Sequence, residues 1–172
     1  MNEDAMSKEQ TAIPEHRPVE VLVDADACPV KEEVYKVAER HGVPVTLVAN
    51  QFMRMPRRDE WAIPISFVKV EDGPDVADDH IAAIAHPRAV VVTADILLAQ
   101  RCLAKGACVI GTTGKPFTEN SIGSAVAMRN LMADLRETSD IGGGPPPFSK
   151  ADRSRFLSSL HEILERLKRT RV

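Results

Sequence analysis

The hydrophobic positions of this chain change their period along its length. Short, nearly unbroken apolar runs stand at Val19–Val23, Val43–Ala49, Ile65–Val70, Ala89–Val92 and Ala107–Ile110. Such runs suit strands that are dry on both faces. Between them apolar residues recur at helical spacing, as at Val30, Val34, Val37 and Ala38. The pattern predicts helices over Pro29–Arg40, Asp75–Ala85, Asp95–Lys105, Ile122–Glu137 and Lys150–Arg169. Pro29 near the first turn and Gly42 at the end bound the first helix. Ser149 and Asp152 have the spacing of a capping box at the start of the last. Asn50–Trp61 reads as a loop with a short helix, and Gly111–Asn120 as a plain loop.

Strands alternating strictly with helices imply an α/β protein with a mainly parallel sheet of about five strands, covered on both faces. The expected organisation is a disordered leader over residues 1–17 and one α/β domain over 18–141. A Gly/Pro connector follows at 142–148, and a C-terminal helix at 149–170 docks on the domain or on a partner.

Composition narrows the function. With 172 residues and 44% hydrophobic content the chain can bury a proper core. A net charge of −3 excludes a strong nonspecific pull on nucleic acid, although acids that hold a metal distort that count. The three cysteines, Cys28, Cys102 and Cys108, form no disulfide framework and no zinc spacing. Cys28, close to a helix start, is a candidate for a lowered thiol pKa. No apolar run approaches a membrane span, and no signal-peptide core is seen, so a cytoplasmic protein is expected. Gly111-Thr112-Thr113-Gly114-Lys115 lacks the spacing of a phosphate-binding P-loop and reads as a turn. No haem, nucleotide cofactor or zinc is expected. A homodimer is compatible with the sequence.

The chemistry is concentrated in acids. Val21-Leu22-Val23 ends abruptly in Asp24-Ala25-Asp26. In a parallel sheet all strand C-termini share one edge, so residues just after each strand become neighbours. Asp24 and Asp26 follow the first strand. Asp75, Asp78 and Asp79 open the helix after the third, and Asp95 follows the fourth. Carboxylates gathered in this way repel one another, and a hard divalent cation, Mg2+ or Mn2+, is the usual remedy. Asp75 and Asp95 also sit where an N-cap aspartate satisfies orphan amides for ~1 kcal/mol. Asp24, set against valine and leucine, has little structural reason to be there. The implied chemistry is metal-assisted hydrolysis of a phosphate ester.

Arg54, Arg57 and Arg58 leave the second strand at the acids' edge and could hold phosphate, and Arg129 and Arg136 share one helix face. Aromatic residues are scarce, so no base-stacking platform is legible.

Several stretches together resemble the YaiI/YqxD family of small bacterial proteins, over about residues 20–160. They are Val23-Asp24-Ala25-Asp26-Ala27-Cys28-Pro29, Val48-Ala49-Asn50-Gln51, Asp75-Val76-Ala77-Asp78 and Thr93-Ala94-Asp95-Ile96. Met128-Arg129, Leu135-Arg136, Gly143-Gly144-Pro145 and Asp152-Arg153 with Phe156 continue the match. The family is placed among PIN-like, metal-dependent nuclease folds. The resemblance implies a three-layer α/β/α sandwich with Asp24, Asp26, Asp75, Asp78 and Asp95 around Mg2+ or Mn2+, the catalytic set being Asp24, Asp26, Asp78 and Asp95. Arg54, Arg129, Arg136, Asn50 and Thr93 are the expected substrate contacts, with RNA or another phosphate compound as substrate. PIN nucleases commonly add an acid after the fourth strand, for which Glu119 is the only weak candidate. Two other readings stand beside the nuclease. One is a HAD-like phosphatase with Asp24 as nucleophile, although Ala27-Cys28-Pro29 departs from that pattern. The other is a PIN-like module that binds RNA or protein without cutting.

Overall fold

Valine and leucine can be dry on both sides of a strand, and the run that begins at Val21 takes the centre of the sheet. A computed structural model describes residues 17–138 and 147–170. The expected leader and connector therefore lie almost wholly outside the described residues.

Strand β1 (Glu20–Asp24) is followed by helix α1 (Lys31–His41) and strands β2 (Val45–Ala49) and β3 (Ile65–Lys69). Helix α2 (Val76–Ile84), β4 (Ala89–Val92), α3 (Ile96–Ala104), β5 (Cys108–Ile110) and β6 (Pro116–Phe117) come next. Helices α4 (Glu119–Thr138) and α5 (Lys150–Arg169) complete the chain's described elements. The sheet order is β3-β2-β1-β4-β5-β6, parallel except for β6.

Alternation along each strand divides the core in two. Val21, Val23, Val90 and Val92 pack in one cluster with Val34, Ala38, Phe156 and Leu160 of α1 and α5. Leu22 and Val91 pack in the other, with Ile81, Leu98 and Cys102 of α2 and α3. The result is the expected three-layer α/β/α sandwich. The helix C-terminus at Gly42 is left-handed, with φ 65°, and its amide bonds back into α1, as a C-terminal glycine should.

Two local expectations fail. The loop after β5 holds the extra strand β6, antiparallel to β5; two residues beginning with proline carry no readable period, and such a strand fits only a sheet edge. The segment Asn50–Trp61 contains no helix. Its polar turn closes through the Glu60 amide on the Arg57 carbonyl and the Arg57 amide on the Glu60 carboxylate. Three arginines around Pro56 offer no apolar stripe to hold a helix down.

Helix α5 docks through Phe156, Leu160 and Leu164, all without exposure. Its start is the expected capping box: the Asp152 amide donates to Ser149 Oγ at 3.1 Å, and the Ser149 amide to Asp152 Oδ2 at 3.0 Å. Arg153 adds an ion pair to Glu33, which is buried on α1. The turn at Gly111–Lys115 fits beneath this helix only because Gly114 lacks a side chain. A Cβ there would lie 2.6 Å from the Arg155 carbonyl carbon and 2.7 Å from the Phe156 nitrogen, and φ is already +90°. Gly114→Ala should therefore destabilise the protein by roughly 2–4 kcal/mol in urea unfolding. Gly123→Ala, in open space on α4, should stabilise it by up to ~1 kcal/mol.

A candidate acidic metal centre at the sheet switch point

From β1 the chain runs outward through β2 to β3, then crosses back to lay β4 on the other side of β1. The C-terminal ends of β1 and β4 thus flank a topological switch point, where open α/β sheets leave a crevice for ligands. Asp24 ends β1, and Thr93-Ala94-Asp95 follows β4 directly.

The two ends are joined by one hydroxyl. Thr93 Oγ1 donates to Asp24 Oδ2 at 2.9 Å and accepts from the Asp95 amide at 3.0 Å. Thr93 is 1% exposed, so this hydroxyl is engaged in positioning Asp24. Asp95 Oδ1 in turn accepts from the amides of Leu97 and Leu98 at 2.9 and 3.1 Å, the N-cap expected of it. Asp26 Oδ2 accepts from the Asn50 amide at 3.0 Å, which ties the β1 loop to the end of β2. Lys31 Nζ donates to the Ala25 carbonyl at 3.3 Å, between the two acids. No local pattern around Lys31 signals that tether.

Asp24 continues the alternation of Leu22 and so belongs to the α2–α3 side of the sheet, where Asp78 opens α2. Asp75 occupies the N-cap position of α2 but makes no side-chain cap bond. Its backbone is left-handed, with φ 67°, a region open to aspartate that keeps the carboxylate from the first-turn amides.

The electrostatics show how closely these groups stand. Burial raises the Asp24 pKa above the usual carboxylate value; the Thr93 hydrogen bond opposes that rise, and Asp26 and Asp95 add to it. Asp78 is pushed up to about 6, by burial first and then by Asp95, Asp24 and Asp75. Only Asp79 is neutralised directly, by Arg101 Nη1 at 2.7 Å. Among the described residues no ion pair reaches Asp24, Asp26, Asp75, Asp78 or Asp95.

An all-oxygen, unneutralised donor set fits a hard divalent cation in its chemistry. The side chains are not drawn onto one point, however. Among the described residues no three His, Cys, Asp or Glu side chains are arranged to hold an ion.

The remaining candidates lie further out. Glu119 is exposed at the first residue of α4 and is not among the charges that shift Asp24 or Asp78. Arg129 and Arg136 are exposed on α4. Arg54 is exposed and lines a groove of about 520 Å3 with Lys31, Tyr35 and Trp61. A second groove, also about 520 Å3, lies beside Arg57, Arg58 and Trp61, and neither is lined by the acids. Cys28 departs from expectation. It is buried, and burial pushes its thiol up to about 11, so the nearby helix start does not activate it.

A mostly parallel sheet covered by helices on both faces, with acids near its switch point, places this chain among the three-layer α/β/α proteins. Residues 22–166 match the family described as "Uncharacterized BCR, YaiI/YqxD family", and the chain belongs to that family. A UPF0178 protein of Rhodopseudomonas palustris is 56% identical over 88% of this chain and 94% of its own length. Those of Sphingopyxis alaskensis and Bradyrhizobium diazoefficiens are 57% and 52% identical, over 87% and 90% of this chain and 95% and 90% of theirs. No solved structure matches. No helix among the described residues is long and apolar enough to cross a membrane.

Two outcomes follow from the geometry. Thr93→Val keeps the shape but strips Asp24 of a donor and the Asp95 amide of an acceptor, so it should cost about 1–3 kcal/mol at pH 7. In thermal melts the loss should shrink as pH falls and Asp24, its pKa raised by burial, takes up a proton. For Asp78 the folded pKa, about 6, lies above its unfolded value, so its contribution to stability is full below about 4 and lost as pH rises through 6. Asp78→Asn should therefore raise Tm at pH 7 and flatten the dependence between pH 4 and 7.

Proposed function

We propose that this protein is a divalent-metal-dependent phosphodiesterase of PIN-like type that acts on RNA. The observation that carries the reading is that, on top of burial, Asp95 raises the pKa of both Asp24 and Asp78, and Asp24 that of Asp78. Among the described residues no ion pair is made to any of the three. On this reading Asp24, Asp78 and Asp95 hold Mg2+ or Mn2+, with Asp26 and Asp75 beside them. The ion, when bound, polarises a phosphoryl oxygen and activates water.

The chain's own residues prepare that site. Thr93 fixes one oxygen of Asp24, and the α3 amides fix one oxygen of Asp95. Asp78, raised to about 6, holds a proton in mildly acid solution and releases it near neutrality, when it can act as a ligand. Drawing the acids together needs side-chain rotation in Asp75, which is exposed, and Asp78, which is half-buried. Arg54, Arg129 and Arg136 supply guanidinium groups for phosphate, as bidentate partners.

The test is cleavage of labelled single-stranded RNA with manganese by the full chain, beside Asp24→Asn and Asp95→Asn prepared identically. Manganese-dependent cleavage should fall by about 100-fold or more in either variant, the scale of lost metal support. A chromogenic phosphomonoester runs alongside. Turnover of the monoester alone would move the protein to the HAD-like phosphatases. Metal or RNA binding without any turnover would leave the non-catalytic module.

A further inference from the structure

Phe52 is the most solvent-exposed of the large hydrophobic side chains among the described residues, at 82%; Met128 follows at 53%. It is not stranded on an unsupported loop. Its ring stands 6.5 Å from that of Phe67 on β3, tilted by 43°, and Lys69 Nζ lies 5.1 Å from its centroid. The sheet edge thus buttresses the ring and sets a cation on it, while most of its surface stays in water.

Its place in the chain is just past the end of β2, and Phe67 and Lys69 share the face of the sheet opposite Asp24. Phe52 follows Asn50 by two residues, and the Asn50 amide is held by Asp26 Oδ2. Two residues of extended chain span at most about 7 Å. Arg54 follows two residues later and is exposed. An open aromatic ring with a lysine on it, and an exposed arginine two residues on in the chain, has the makings of a single-strand nucleic-acid contact. The ring stacks on a base of any identity, and the cations take the phosphates. A protein partner would want a contiguous apolar patch, and Phe52 is flanked instead by exposed Gln51 and by Met53, which packs into the core.

We infer that Phe52, with Lys69, forms a nucleobase-stacking subsite at the β2–β3 edge of the sheet, outside the acidic site, and selects unpaired RNA. This rests on the phosphodiesterase reading and names the substrate class of that reading. Bases in a duplex are already stacked on one another, so the subsite serves only single strands or splayed ends.

The test uses fluorescence anisotropy with the full-length Asp24→Asn protein and manganese, so that bound RNA stays uncut. The probes are a labelled single-stranded oligoribonucleotide, the same strand in a duplex, and one with abasic positions. Adding Phe52→Ala should weaken single-strand binding roughly 5- to 100-fold, while Phe52→Trp should preserve it. Lys69→Ala should cost less and its effect should fade with salt. Duplex and abasic probes should bind weakly and ignore residue 52. In the cleaving protein, Phe52→Ala should raise KM and leave kcat near its value.

Equal binding by Phe52→Ala, or equal binding of duplex and single strand, would overturn the inference. If Phe52→Ala is indifferent while the unmodified chain cleaves RNA, the subsite fails and the nuclease reading stands. If RNA binding depends on Phe52 but the unmodified chain never cuts, the nuclease reading fails and the subsite stands. Absence of any RNA binding would overturn both.

Discussion

A carboxylate at the end of a central, dry strand of the sheet needs a donor, and Asp24 has one in Thr93. The bond spans sixty-nine positions of sequence and joins the two strands that flank the switch point. Because the same oxygen of Thr93 accepts from the Asp95 amide, the end of β4 and the start of α3 are set by the same contact. Remove it and Asp24 loses the one interaction that lowers its pKa against burial and two neighbouring acids. The geometry of the candidate site and the packing of the central strands are therefore one problem, solved by one hydroxyl.

What could be read along the chain was whatever has a local period or a local partner. Strands β1 to β5 and all five helix positions are written in apolar spacing, the α5 start in Ser149 and Asp152, the α3 start in Asp95. Asp95 caps α3 through one oxygen, as its position predicts, and also adds its charge to Asp24 and Asp78. What had no period was lost. Strand β6 is two residues long. Asp75 sits at a cap position whose backbone φ takes the carboxylate off the amides, and no residue nearby announces that. Lys31 meets the Ala25 carbonyl only once the β1 loop is folded. A thiol near a helix start looked activated, yet the fold buries Cys28, and desolvation outweighs Lys31 and the backbone hydrogen bond. For Phe52, composition argued against stacking; exposure and the Lys69 contact are properties of the folded sheet edge.

The family match covers nearly the whole described chain and fits the sheet's economy of charge. Elsewhere in the molecule charged groups near the core are paired. Buried Glu33 has Arg153, and Asp152 is fixed by the α5 cap. Asp79, one residue beyond Asp78, has Arg101. Against that background the acids at the switch point stand out because, among the described residues, no ion pair is made to them, and Arg101, paired with Asp79, opposes the burial-driven rise of the Asp78 pKa only from a distance.

This contrast has a thermodynamic consequence. A half-buried acid raised to about 6 is a net cost to the folded state at neutral pH, since its ionised form is favoured more in the unfolded chain. Such a cost is offset when a ligand binds the folded state alone, by an amount that grows with ligand concentration over its Kd. A divalent cation is the ligand whose charge cancels the repulsion directly, and the rotation needed to gather the carboxylates is driven by the same cancellation. Burial is the first cause of the elevation of Asp78, and the charges of Asp95, Asp24 and Asp75 add to it. A ligand that cancelled those charges would therefore relieve only part of the cost, and desolvation would keep the rest.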